Sequence, residues 1–155
     1  MFVIKRKPFL LSLFVPLAIG ALVGFIIMPN IGIYRQFALP PGAPPSWLFP
    51  IAWSLLYLMM GLAFYGVFSA QAYHRTAAFW VYALQLAFNF LWPIFFFKAQ
   101  LYLFSFVWLL ALLVLIVLTI RLFYPINRLS AYLMQPYLAW CLYAAYLNFG
   151  VAVLN

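Results

Sequence analysis

Five stretches of about twenty or more residues contain no charged side chain, and single or clustered basic residues divide them from one another. The uncharged runs are 8–34, 47–73, 76–97, 101–120 and 129–155. At ~1.5 Å of rise per residue, about twenty helical residues cross a ~30 Å hydrocarbon core. Lipid offers the backbone no hydrogen-bonding partner, so such runs close their own bonds as helices. The composition fits only that medium: 71% of residues are hydrophobic and 5% charged, where a soluble domain carries roughly 25% charged residues. The runs predict an all-α integral membrane bundle of five transmembrane helices forming one domain over 1–155. The predicted spans are about 8–28, 46–72, 76–97, 100–122 and 129–153, with a proline-rich loop over 29–45. The first run also invites reading as a signal peptide, because basic residues precede it. Its apolar part exceeds the usual ~7–15-residue core and no A-x-A site follows, so a retained helix is the better reading.

The charge inventory removes whole classes of chemistry. There are eight Lys and Arg but no Asp or Glu. Without side-chain carboxylates there is no acidic general acid or base, no ligand set for a hard cation and no carboxylate proton relay. The basic residues lie scattered between apolar runs and form no basic face on a soluble element, which argues against nucleic-acid binding. Cys141 is the only cysteine, which rules out an internal disulfide, a CxxC pair and a structural zinc site. His74, beside Arg75, reads as a solvated loop residue, and no metal site is predicted. Five spans put Lys5, Arg6, Lys7, Arg75, Arg121 and Arg128 on one side and Arg35 and Lys98 on the other. The positive-inside rule therefore places the N-terminus in the cytoplasm.

One connection is long. The segment 28–46 contains five prolines, which lock φ and remove backbone donors, so it is expected to be neither helix nor central strand. It suits a stiff lid over the bundle mouth and equally a plain interfacial connector. In the first helix, Gly20 and Gly24 form a GxxxG pair that allows close helix approach, either to a neighbour in the bundle or to a second copy in a homodimer. A cholesterol-type pattern through Arg128, Tyr132 and Leu133 is of a kind that matches by chance.

The aromatic and amide residues carry more information. Trp47 and Trp80 stand near the starts of their spans, where indoles normally sit at the interface. Trp53 and Trp92 fall ~8–10 Å inside the ends of their helices, and Trp140 close to the midplane. Gln85, Asn89 and Trp92 share one face of the third helix at i, i+4 and i+7. Trp53 and Tyr57 pair on the second helix; Tyr137, Trp140 and Ala144 form a stripe on the fifth, with Asn148 one turn on. Amides in a membrane helix face the bundle interior or a cavity. The pattern describes an aromatic pocket with polar anchors between helices two, three and five; the alternative is polar contacts that glue those helices together without a cavity.

The segments PPSWLFPIAWSLLYLMMG (44–61), QLAFNFLWPIFFF (85–97) and PYLAWCLYAAYLNFGVAVLN (136–155) resemble the TspO/MBR family, the tryptophan-rich sensory and translocator proteins also known as peripheral-type benzodiazepine receptors. The likeness covers roughly 38–155 and is strongest to the bacterial branch, which implies a bacterial cell membrane. The resemblance implies a pocket under the first loop that binds porphyrins such as protoporphyrin IX and haem, isoquinoline carboxamides and benzodiazepines. It maps pocket residues onto Trp53, Asn89, Trp92, Trp140 and Ala144, to which the spacing adds Tyr57, Gln85 and Tyr137. Gly42 stands where many members have tryptophan, which is expected to loosen the loop. Trp108 stands near a commonly acidic position, and the C-terminal cholesterol motif is absent.

The function so implied is a membrane receptor or carrier of tetrapyrroles, serving in stress or porphyrin sensing and requiring no cofactor, with porphyrin or haem as ligand. The alternatives are light-dependent porphyrin degradation, with Trp53 and Trp140 as redox partners and no firm catalytic residue, and small-molecule transport. The expected partners are the lipid bilayer and porphyrin-type molecules.

Overall fold

A computed structural model describes residues 6–70, 72 and 75–155. Lys5, His74 and the end of the second run at Tyr73 lie outside the described residues. Helix α1 (Arg6–Ile27) runs on into a 3-10 helix (Met28–Gln36), followed by α2 (Leu48–Ser69) and α3 (Arg75–Pro93). A π-helical turn (Ile94–Lys98) ends the third span. Then come α4 (Tyr102–Phe123), the short α5 (Arg128–Leu133) and α6 (Gln135–Leu154). Five helical spans are long and apolar enough to cross a membrane, the fifth comprising α5 and α6. No strand occurs among the described residues.

Proline explains where these helices change character. Pro93 lacks the N–H that would continue α3, and the chain widens into a π-turn, in which Ala99 N–H reaches the Ile94 carbonyl at 2.9 Å. Pro136 sits in the first turn of α6, where a missing N–H costs no helical bond. Met134 at the α5–α6 joint is an αR residue whose N–H bonds Ala131. Inside α1, Pro16 leaves the Ser12 carbonyl without its i+4 donor. Gly61 of α2 lies directly on Ser12 and Leu13, where a Cβ would strike the α1 backbone.

The long connection corrects one expectation. Met28–Gln36 is helical, because Pro29 stands at its start, where proline is tolerated, and the other four prolines fall after Phe37. Pro40-Pro41-Gly42-Ala43 then makes a tight turn, with Ala43 N–H on the Pro40 carbonyl at 3.2 Å and Gly42 at φ 80°. Proline at the second position and positive φ at the third are the requirements of a type II turn. Gly42, expected to loosen this segment, closes it instead.

Around the bundle, α1 packs on α2, α2 on α5 and α6, α6 on α4, α4 on α3, and α3 returns to α1. Met60, Leu109, Leu112, Ile116, Phe123 and Tyr137 are fully buried in the shared core. Trp47 and Trp80 are 64% and 74% exposed, as interfacial indoles should be.

Candidate functional site

One hollow in this bundle opens against α1. A cavity of about 460 Å³ lies between α1, α2 and the end of α3, within the ~300–1,000 Å³ of ligand-holding clefts. Trp53, Tyr57, Trp92 and Phe49 give it aromatic walls, and Ser46 and Ser54 supply hydroxyls. Trp53 is the centre of the ring cluster, 5.6 Å from Tyr57, 6.2 Å from Trp92 and 6.3 Å from Tyr137 between centroids. Gly20, Ala21 and Gly24 form the facing wall on α1. At Gly24 a Cβ would meet nothing within 4 Å, whereas at Gly20 it would strike the Tyr57 ring. The first glycine of the GxxxG pair thus seats a ring of its own chain, and the second leaves space.

Between α2, α3 and α6 the polar residues satisfy one another. Tyr57 Oη donates to Asn89 Oδ1. Asn89 Nδ2 donates to Tyr137 Oη at 3.1 Å, and Tyr137 Oη donates to Gln85 Oε1 at 2.9 Å. Gln85, Asn89 and Tyr137 are at most 1% exposed, and Gln85 Nε2 has no protein partner. A second cluster joins three helices: Trp92 Nε1 and Ser105 Oγ both donate to Asn148 Oδ1, at 2.9 and 3.0 Å. Asn148 Nδ2 donates to the Tyr102 carbonyl at 2.8 Å. Trp108 stacks on Phe88 at 4.1 Å and donates to the Phe88 carbonyl at 2.9 Å.

The proline-rich segment is docked lengthwise on α6. Ala38 exchanges two hydrogen bonds with the Asn155 side chain, and the Pro40 ring lies against Gly150. The carbonyls of Pro41 and Gly42 accept from Tyr146 and Tyr143. Tyr34 Oη donates to the Pro44 carbonyl at 2.9 Å. Extended backbone beside a membrane helix would strand its polar groups; here prolines remove donors and tyrosines serve the carbonyls. The flanks of the segment, Ile31, Tyr34, Ser46 and Phe49, border the cavity.

Of the residues singled out in the sequence, Trp53, Tyr57 and Trp92 line the cavity. Asn89, Tyr137 and Gln85 continue behind Tyr57 as the hydrogen-bonded chain. Trp140 lies outside the lining, edge-on to Phe49 at 6.2 Å and to Tyr143 at 5.7 Å. Ala144 is buried in the core of α6. The cavity thus takes walls from helices two and three and adds α1 where that helix carries no bulk, while amides and hydroxyls of α2, α3 and α6 bond one another beside it. The contribution of α1 was not anticipated, although the small residues at 20, 21 and 24 are its visible sign. No group of three or more potential metal ligands occurs among the described residues.

Comparison with known proteins agrees with this architecture. The sequence profile of the TspO/MBR family matches residues 12–154. The chain is 35% identical over 145 residues to the tryptophan-rich protein TspO of Archaeoglobus fulgidus, covering 93% of this chain and 94% of that one. It is 34% identical to protein CrtK of Rhodobacter capsulatus, over 92% of this chain and 89% of the relative. With the translocator protein of Sus scrofa it shares 33% identity over 83% and 86% of the two chains.

Proposed function

Because the chain belongs to the TspO/MBR family, we propose that it is a receptor or carrier of tetrapyrroles, with protoporphyrin IX or haem held in the cavity between α1, α2 and α3. The single observation behind this reading is the Trp53 ring in the wall of an apolar cavity, with Tyr57 and Trp92 beside it. A planar aromatic ligand gains from stacking on such rings. Ser46 and Ser54 offer its polar edge hydrogen bonds, and Arg35, in the neighbouring 3-10 helix, is a cation in that region suited to a propionate. Trp140 acts through Phe49 in this reading, holding the wall it packs against. We place the protein in a bacterial cell membrane with its N-terminus in the cytoplasm, where six of the eight basic residues would lie.

Porphyrin quenching of tryptophan fluorescence tests the site. Trp53→Phe is expected to weaken binding of protoporphyrin IX, and Trp140→Phe to weaken it further. Gly24→Leu is the sharper variant: its side chain has open space before it and would fill the cavity without disturbing the helix. Quenching should fall to the level of a non-binding control while thermal stability holds. Unchanged affinity in Gly24→Leu would exclude this cavity.

A second reading, light-dependent porphyrin breakdown, is favoured by the contact of Trp53 with Tyr57, Trp92 and Tyr137, three oxidisable rings within 6.3 Å of its own. It needs no carboxylate. With dioxygen as the oxidant, illumination of the porphyrin-loaded protein should then yield product in the wild type, none in the dark or without dioxygen, and less in Trp53→Phe.

A further inference from the structure

A second hollow lies between the same three helices at the opposite end of the bundle. It measures about 650 Å³ and is walled by Leu11, Val15, Phe64, Phe79, Trp80 and Leu86, among others. Its polar lining is nearly all engaged: Ser12 Oγ donates to the Pro8 carbonyl at 2.8 Å, and Tyr82 Oη to the Met60 carbonyl at 3.1 Å. The remaining polar groups, Lys7 and Thr76, are exposed and sit at the N-terminal ends of α1 and α3. Arg75, next to Thr76, donates to the carbonyls of Phe68, itself a lining residue, and Ala70, at 3.5 and 3.4 Å. The hollow is therefore an apolar trough with cations at one end.

Those cations have no counterion of their own, since the chain contains no Asp or Glu. Their neutralising charge must come from another molecule. An occupant that matches both parts has a hydrocarbon tail for the trough and an anion at the bundle end, where phospholipid headgroups lie. We propose that this groove is a binding site for an anionic phospholipid, with an acyl chain between α1, α2 and α3 and its phosphate at Lys7, Thr76 and Arg75. A zwitterionic lipid would fill the trough equally well, but its own cation would face Lys7 and Arg75. Selectivity therefore resides in the two basic residues and occupancy in the trough. This site is separate from the tetrapyrrole cavity, and the proposal does not rest on that reading.

Native mass spectrometry of the full chain in detergent micelles tests it. The probes are phosphatidylglycerol and phosphatidylcholine with identical acyl chains, supplied at equal concentration. The wild type should retain phosphatidylglycerol in preference, by roughly fivefold for each cation engaged. Lys7→Gln/Arg75→Gln should abolish the preference, while Arg121→Gln/Arg128→Gln, which removes two charges from the same end of the bundle outside the groove, should keep it. Ala83→Phe, an exposed lining position, should cut retention of both lipids to background with helix content unchanged by circular dichroism. Equal retention of the two lipids by the wild type would overturn the proposal. So would an equal loss in the two charge variants, or undiminished retention in Ala83→Phe, which stays informative even if the Lys7/Arg75 variant fails to fold.

Discussion

Tyr137 shows how a single hydroxyl can organise a membrane interior. It accepts from Asn89 and donates to Gln85, and its ring is fully buried. Tyr137→Phe keeps the ring but strands Asn89 Nδ2 and Gln85 Oε1, beside a Gln85 Nε2 that already lacks a protein partner. In a soluble core each stranded group costs about 1–3 kcal/mol. Hydrogen bonds between membrane helices average nearer ~0.6 kcal/mol, because the unfolded state in lipid also finds partners. Two losses in a dry bundle centre then sum to about 1–3 kcal/mol. Tyr57→Phe strands only Asn89 Oδ1 and should cost less. Unfolding midpoints in detergent should rank wild type above Tyr57→Phe above Tyr137→Phe. Equal midpoints for the two variants would mean the chain of bonds is not continuous.

Among the elements, the five spans were legible because their cause is local: an uncharged run of sufficient length has one stable form in lipid. The finer breaks were less so. Met28–Gln36 reads as loop if its prolines are pooled with those after Phe37, although only Pro29 lies within it. Trp53, Tyr57 and Trp92 could be grouped by helical spacing, and the structure does bring them to one cavity. Which helix closes that cavity could not be read from spacing, since Gly20, Ala21 and Gly24 matter through the volume they leave empty. Trp140 packs on Phe49, and the segment before α2 descends along α6 from Asn155, at Ala38, to Tyr143, at Gly42. That descent carries its own prediction. Tyr143→Phe/Tyr146→Phe removes the donors to the Gly42 and Pro41 carbonyls while leaving the Pro40–Gly150 contact and the Asn155 bonds. Hydrogen exchange at the Gly42 and Ala43 amides should quicken several-fold, with little change in the unfolding midpoint. Unchanged exchange would show that ring packing alone holds the segment.

For the whole molecule, the unopposed cations bear on how the bundle sits. Arg6, Lys7, Arg75, Arg121 and Arg128 mark one end among the described residues, and Arg35 and Lys98 the other. With no acidic side chain to blur the difference, loop charge favours the orientation proposed above, with the N-terminal end toward the cytoplasm. In that orientation the cavity between α1, α2 and α3 would open toward the outer half of the bilayer, because Trp53 and Trp92 lie near the end that carries Arg35 and Lys98. The proposed lipid groove occupies the inner half. Cysteine labelling reads this directly, and the chain supplies its own blank: Cys141, the only native thiol, is 0% exposed. Ala99→Cys, exposed beside the π-turn, and Pro125→Cys, exposed between α4 and α5, lie at opposite ends. A membrane-impermeant maleimide added to intact cells should label Ala99→Cys and spare Pro125→Cys until the membrane is permeabilised. The reverse pattern would turn the bundle over and put that cavity on the cytoplasmic side, where it would receive a ligand from inside the cell.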